Sequence, residues 1–370
     1  MRLKMKINIG LAGYWGWHRG IAYTNKYLYK TLKNDYTVHI LKYGRNPISE
    51  DFNFDKELNA PVITEVDNNF PDESIFRNWI TDNDIKAVIF HEYGQWGPEP
   101  FNYPRITRSM GVKAYGLLTM ERWQNSQAED YDRILAPTAT FERFMRLNKI
   151  RHFTYIPRSI DLAEFPKPTK ETSNEVFTFF HPGGWGGVLE RKNTQVVIEA
   201  FNNLANIEGQ LSRTDIKLIV TSQKPYKDTL IPNGVELIEK DLSRKEMIDL
   251  YYKCDCVVLP SKWETIGIPI LESLAAGKPL IVPDIPPLNE FVRQGMNGYT
   301  IGATMQKYPQ ISIYAAEVEP RKLSIAMANM TNKMIYPMLA RNSRYIAETL
   351  YDLNKNKKYL LEFLKNDLRL

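Results

Sequence analysis

Cysteine is almost absent from this chain, with two in 370 residues, Cys254 and Cys256. Standing two apart on a predicted strand, they share one face, lie too close for an ordinary disulfide and have no His or Cys nearby to complete a zinc site. They read as core residues of a protein held in a reducing compartment. No stretch approaches the ~18 apolar residues of a membrane span. The start, MRLKMKINIG, alternates charged and apolar residues as a strand does and lacks a signal peptide's apolar run. The expectation is a soluble, cytoplasmic protein. Charge of one sign is also scarce, the formal net charge being +5. That is far from the clustered excess of a dedicated nucleic-acid binder. Repeats and low-complexity tracts are missing. The composition, 43% hydrophobic and 25% charged, is globular, and the length accommodates two domains of about 100–200 residues each.

Some chemical signatures are missing too. Gly10, Gly13 and Gly16 recur every third residue, which is not the G-x-G-x-x-G dinucleotide fingerprint. The second strand ends in Lys42 where that fingerprint wants an acid, which counts against an oxidoreductase. Asp82-Asn83-Asp84 matches D-x-D but precedes its strand, so it reads as a turn or cap instead of a metal site. No side chain stands out as a covalent nucleophile.

What the chain does have is an alternation of short apolar runs and helical stretches, the signature of an α/β fold. Strands are predicted at 6–11, 36–41, 85–90, 113–118, 133–136 and 153–156, with a helix at 20–33 carrying Ala22, Leu28 and Leu32 on its apolar side. A polar, proline-bearing stretch, 166–175, reads as a linker. Strands follow at 176–180, 216–220 and 235–238, a helix at 243–252, a strand at 256–259, and helix again from 321 to 368. The pattern weakens between 300 and 310.

The most informative stretch runs from Pro260 to Tyr299. After the strand at 256–259 comes Glu264-Thr265-Ile266-Gly267-Ile268-Pro269, where Pro269 suits a first helical position and Gly267 lets the backbone approach a ligand. Free amides at such a helix start form an anion site, and Glu272 lies one turn further on. The helix ends at Ala275-Ala276-Gly277, and Lys278 to Val282 begins the next buried strand. Open α/β sheets bind ligands at this carboxyl edge. A second candidate is His181-Pro182-Gly183-Gly184-Trp185-Gly186-Gly187 followed by Arg191-Lys192-Asn193. Its glycines let amides approach phosphates, and the basic pair neutralises them; the alternative is a flexible loop with solvated charges. His91 closes the strand at 85–90 and so falls on a ligand-binding edge.

Glu264, Gly267, Pro269, Glu272, Gly277, Pro279, Glu290 and the Gly295-Met296-Asn297-Gly298 turn together resemble the nucleotide-sugar site of retaining glycosyltransferases of the GT-B fold, the family 4 or "glycosyl transferases group 1" type. The resemblance implies an α/β fold of two Rossmann-like domains facing each other across a cleft, with a C-terminal helix crossing back to the first. The expected division is 1–165 for the acceptor-binding domain, 166–175 for the linker, 176–335 for the nucleotide-sugar domain and 336–370 for returning helices, the crossing helix falling near 336–350. The implied activity is that of a retaining hexosyltransferase-type enzyme moving sugar from a UDP- or GDP-linked donor to a glycan or glycoconjugate, without metal or cofactor. Glu264 would meet the donor sugar, Glu272 the ribose and His91 the sugar's outer hydroxyls, while Lys192 matches the family's diphosphate lysine. The family's usual arginine just after the strand is replaced here by His181-Pro182-Gly183-Gly184, leaving Arg191 to substitute. Gly16 and the backbone at Thr265, Ile266, Gly267 and Ile268 complete the donor contacts.

Aromatic residues crowd two loops of the first domain, with Tyr14, Trp15 and Trp17 on one and Tyr93 and Trp96 on the other. Flat apolar faces with a polar handle suit a sugar ring, which makes Trp15, Trp17 and Trp96 the acceptor candidates. Phe141, Phe144, Met145 and Leu147, beside Arg143, Arg146, Lys149 and Arg151, would as a basic amphipathic helix add peripheral contact with the inner membrane face. Three alternatives stand beside a transferase. A non-hydrolysing nucleotide-sugar epimerase needs acid and base groups that the sequence does not place. A glycan phosphorylase would use inorganic phosphate or a pyridoxal cofactor, and the lysine needed for the latter has no evident context. A non-catalytic sugar-nucleotide or glycan-binding module would keep the pocket without turnover.

Overall fold

The structure, a computed structural model, describes residues 6–369 apart from 16–19, 43–57, 59–61, 66–69, 94–101, 169–172, 206–212, 227–230 and 266. The chain divides into two compact units, the first made of Met1–Ser159 with Leu353–Leu370 and the second of Ile160–Asp352.

The first unit is a parallel sheet of β1 (Asn8–Gly13), β2 (Thr37–Lys42), β3 (Val62–Glu65), β4 (Ile85–His91), β5 (Lys113–Leu117), β6 (Arg133–Ala136) and β7 (Phe153–Tyr155), in the order β3-β2-β1-β4-β5-β6-β7. This is a doubly wound order, reversing between β1 and β4. β4 is buried along nearly its whole length, which is why its sequence reads as a continuous apolar run instead of alternating. Aromatic rings fill one layer, Phe76 stacking on Tyr103 at 4.5 Å and meeting Phe90 at 6.2 Å. The helix Gly20–Leu32 follows β1. Its buried residues run well beyond the single stripe expected, because the helix Leu353–Asp367 packs against it. That last helix also buries Leu360 and Leu364, sets Phe363 edge-on to Tyr115 at 5.0 Å, and accepts the Tyr115 hydroxyl at Asp367 Oδ2 (2.8 Å).

The second unit repeats the topology. β8 (Phe177–Gly184), β9 (Ile216–Ser222), β10 (Val235–Glu239), β11 (Cys256–Val258), β12 (Leu280–Pro283) and β13 (Gly298–Ile301) are parallel in the order β10-β9-β8-β11-β12-β13. The switch point therefore lies between β8 and β11. Phe177, Phe179, Val197, Phe201, Leu218, Val258, Met327 and Leu339 share its main core. Cys256 belongs to that core, and both cysteines are buried and free, as their sequence context implied. A separate antiparallel hairpin, β14 (Thr304–Lys307) with β15 (Tyr314–Glu317), occupies the stretch where the sequence pattern fades.

Several expectations need correction. The helix Tyr336–Ile346 belongs to the second unit, where Tyr336, Leu339 and Ala340 join the core; only Leu353–Asp367 returns to the first. The boundary falls at 159/160 instead of 165/166, and 169–172 of the expected linker lie outside the described residues. His181-Pro182-Gly183-Gly184 is strand instead of loop, because pairing with β9 continues to Gly184 opposite Ser222 through a register shift after Pro182.

Candidate functional site

The carboxyl edge of the second sheet gathers the predicted donor residues. β8 runs into a tight loop in which three non-glycine residues, Leu189, Glu190 and Asn193, adopt left-handed backbone. Such conformations cost of order 1–3 kcal/mol each and persist only where the surroundings hold them. Here the Lys192 amide donates to Gly186 O (3.1 Å), the Asn193 amide to Glu190 O (2.8 Å) and Asn193 Nδ2 to Pro260 O (3.1 Å). The loop is thereby tied to the segment leaving β11. His181 adds a second tie, its Nδ1 lying 2.8 Å from Val258 O and its Nε2 3.0 Å from Thr194 Oγ1. Burial lowers its pKa to about 4, so it stays neutral and structural.

This folding brings Arg191, Lys192 and Glu264 together. Arg191 Nη1 stands 2.6 Å from Glu264 Oε2, and Lys192 Nζ 2.5 Å from Glu264 Oε1. Glu264 is 6% exposed. Burial alone would raise its pKa, but the two cations overcome that and hold it at about 2. The carboxylate is therefore fully ionised near neutral pH. It bridges a guanidinium and an ammonium, either of which would equally pair with phosphate.

Beside this trio begins the helix Ile268–Ala275. Its N-cap is Gly267 with left-handed backbone (φ 61°), Pro269 sits within the first turn, and among the described residues no side chain caps it. A side chain at Gly267 would meet Ile270 Cδ1 at 2.7 Å as well as adopting a strained φ. A Cβ built at Gly267 would lie 3.7 Å from Glu264 Cγ, so the positive end of the helix begins next to that carboxylate. Thr265 is buried there, while Ile266 lies outside the described residues.

Glu272 is placed differently. Its Oε1 pairs with Arg244 Nη1, and its Oε2 accepts the Tyr251 hydroxyl at 2.8 Å. Arg244 also holds Glu164, with Nη2 2.8 Å from Oε2. Burial and the Glu272 charge push the Tyr251 phenol well up, so it remains a donor. Sequence reading missed Arg244 and Tyr251 because they lie on another helix, Arg244–Lys253, with no local signal linking them to Glu272. The Gly295–Gly298 turn is structural. Asn297 is fully buried, accepting from the Arg293 amide (2.8 Å) and donating to Phe291 O (2.9 Å).

In the first unit His91 ends β4 as expected and is buried. Burial first, and then the Arg158 charge, lower its pKa well below the usual 6.5, so it is neutral. The aromatic loops require a correction. Trp15 is 2% exposed and lies edge-on to Tyr29 at 5.9 Å, and Tyr93 packs on Phe90 and Tyr103 at 5.7 and 5.1 Å. Both are core residues, since aromatics of this size stabilise more by filling the sheet edge than by facing water. Gly16, Trp17 and Trp96 lie outside the described residues. The segment Ala139–Leu147 is helical, but Phe141 and Met145 are fully buried and Trp123 meets Phe141 and Phe144 edge-on, leaving Leu147 as its exposed large apolar residue. Its apolar side thus packs within its own unit. Among the described residues no helix is long and apolar enough to cross a membrane. Asp82 ends the helix Glu73–Asp82, and Asp84 forms a turn that pairs with Lys86, as its position before β4 implied.

Residues 185–308, which contain Arg191, Lys192, Glu264 and Glu272, match the family described as Glycosyl transferases group 1. An uncharacterized glycosyltransferase of Sulfolobus islandicus rod-shaped virus 1 is 28% identical over 124 residues, 33% of this chain and 37% of its own length. The alpha-monoglucosyldiacylglycerol synthase of Streptococcus pneumoniae is 28% identical over 237 residues, 60% of this chain and 51% of that protein. The chain thus spans about half or less of the curated relatives it matches. In fold it is similar to Anabaena HepE, crystallised with UDP and glucose, at a TM-score of 0.71 and 12% identity over 97% of this chain and 100% of that one. Residues 185–308 are thus similar to the group 1 glycosyltransferases, and the fold of the chain is of the GT-B type.

Proposed function

We propose that the chain is a glycosyltransferase that moves a sugar from a nucleotide-diphosphate donor to a glycan or glycoconjugate, with retention of anomeric configuration and without a metal ion. The observation that carries the reading is the pairing of Arg191 and Lys192 on one buried carboxylate beside the helix start at Gly267. As the sugar leaves, negative charge grows on the diphosphate. Two preorganised cations and a helix N-terminus stabilise such charge where a D-x-D enzyme would use an ion. Arg191 takes the part of the arginine that group 1 enzymes carry just after the strand, reaching the same carboxylate as Lys192 from the preceding position. A UDP- or GDP-linked sugar is the donor, and no organic cofactor takes part.

Glu264 orients the donor sugar through hydroxyls that displace its hold on the two cations. Glu272 accepts from the ribose through lone pairs beyond those taken by Arg244 and Tyr251, since an ionised carboxylate has about four acceptor sites. His91, neutral and with Nε2 free of a hydrogen-bond partner among the described residues, accepts from a sugar hydroxyl. The departing phosphate oxygen removes the acceptor's proton on the face from which the acceptor attacks. Incubation with a panel of nucleotide sugars, with and without glycan and with and without EDTA, tests this. The expected result is nucleoside diphosphate release that survives chelation, with proton NMR showing the donor's configuration kept. An inverted product, or activity lost to EDTA and restored by manganese, would refute it; binding without release would mark a non-catalytic module.

A further inference from the structure

The hairpin of β14 and β15 stands apart from the main sheet of the second unit, yet it is built into the end that carries Arg191, Lys192 and Glu264. A two-stranded sheet has little stability of its own in water, so packing must hold it. Its register sets Met305 opposite Ala316, Gln306 opposite Ala315 and Lys307 opposite Tyr314. Met305, Lys307 and Tyr314 therefore share one face, and Ala315 and Glu317 the other. The first face is open, with Met305 47% and Tyr314 56% exposed. The second turns inward, Ala315 lying in a buried cluster with Trp263 and Ile311 on which Leu189, Tyr308 and Ile313 pack. Polar contacts fasten it further: the Ala316 amide donates to Lys262 O (2.7 Å), Lys262 Nζ lies 2.9 Å from Glu317 Oε1, and the Tyr308 hydroxyl donates to that oxygen at 2.6 Å.

Two residues of this cluster belong to the arms of the proposed donor site. Trp263 immediately precedes Glu264, and Leu189, with its left-handed backbone, stands two before Arg191. Arg191 closes the circuit, its carbonyl accepting the Lys262 amide (2.8 Å) and its Nη1 lying 3.3 Å from Trp263 O as well as 2.6 Å from Glu264 Oε2. Residues 262–264 are thus held by the hairpin on one side and by Arg191 on the other. Arg191 and Lys192 carry like charge, and once Glu264 turns to a sugar hydroxyl the carboxylate no longer fixes their spacing. The cluster under the hairpin still does. Trp263 Nε1 is buried without a hydrogen-bond partner among the described residues. An unpaired buried N–H opposes folding, so the stability of the cluster alone does not account for an indole there.

We propose that the hairpin is a positioning element for the donor diphosphate: through Tyr308, Ile311, Ala315 and Glu317 it fixes the arms that carry Arg191, Lys192 and Glu264, and so sets how strongly the site prefers a nucleoside diphosphate to a monophosphate. The inference rests on the reading of Arg191 and Lys192 as the diphosphate's partners.

Calorimetric titration of the full chain with UDP, UMP, GDP and GMP tests it. For the base that binds, the parent should prefer the diphosphate by about 10- to 150-fold, the contribution of hydrogen bonds to a charged group. Ile311→Ala and Tyr308→Ala each hollow the cluster and keep every charge, so a change in the preference reports geometry. Both should shrink it several-fold while leaving monophosphate affinity within about twofold. Ile311→Val, which removes a single methylene, should keep most of the preference, and Met305→Ala, on the open face, all of it. Circular dichroism confirms that each variant is folded; should Ile311→Ala fail to fold, the half-exposed Tyr308→Ala decides alone. A hairpin with a structural role only would lower the melting temperature of these variants and leave the ratio of the two affinities where it was, and that result would overturn the inference while the donor reading stands. A parent that binds diphosphate no tighter than monophosphate would reject the donor reading, and this inference with it.

Discussion

Replacing Glu264 by Gln keeps the shape of the side chain and removes one charge from the centre of the proposed donor site. Its proton affinity falls from the ordinary 4.5 to about 2 because Arg191 and Lys192 flank it. At ~1.36 kcal/mol for each tenfold change in affinity, that is about 3 kcal/mol of favourable interaction at neutral pH. The figure agrees with the ~3–5 kcal/mol lost when one member of a buried ion pair is removed. The second unit, Ile160–Asp352, is of a size for which each kcal/mol moves the Tm by roughly 2–4 °C. Glu264→Gln should therefore lower its Tm by roughly 6–12 °C. The same change leaves two cations in want of an anion, so UDP or GDP should raise the Tm of the variant by more than that of the parent. Thermal denaturation followed by circular dichroism, with and without nucleotide, reads both. Equal Tm values and equal nucleotide-induced shifts would mean that Glu264 does not hold the two cations, and the argument for the site would fail with it.

Glu264 also sets an acid limit. Its folded-state pKa is depressed, so its contribution is complete above about 4.5, declines below that, and is lost as pH falls through about 2; urea titrations should show this slope in the parent and not in Glu264→Gln. On the proposed function Lys192→Ala takes away a charge that would meet the donor diphosphate and should slow transfer about 10- to 150-fold, with circular dichroism confirming that the fold is kept; unchanged turnover would remove Lys192 from the site. Gly298→Ala would place a Cβ 2.1 Å from Leu280 O. Because β12 and β13 pair at that point, denaturation should show a loss of at least the ~1–3 kcal/mol typical of overpacking, and an unaffected variant would show that the strands can part there.

The fold was legible wherever burial on both faces forces long apolar runs. The strands at 85–91, 113–117, 133–136 and 216–222 begin where hydropathy places them. The helix start at Gly267 and Pro269 was legible because backbone geometry restricts which residues stand there. Legibility failed where contacts distant in sequence decide the outcome. Nothing local in Trp15 separates a buried ring against Tyr29 from a solvent-facing platform. Nothing near Glu272 announces Arg244. β8 outran its apolar segment because β9 continues to pair with it, and the hairpin at 304–317 escaped because its first strand is wholly exposed and so shows no alternation.

The division of the chain bears on how the protein is made. The second unit is one continuous segment, complete once Asp352 has been added. The first is discontinuous, and Tyr115 lacks its partners Phe363 and Asp367 until the helix Leu353–Asp367 emerges. Domains translated first ordinarily finish folding first. Here the order is reversed: the opening half of the polypeptide waits, with the face of its helix Gly20–Leu32 uncovered, until the ribosome has synthesised the residues that close it, and a chain stalled after Asp352 would present that unfinished face to chaperones and proteases.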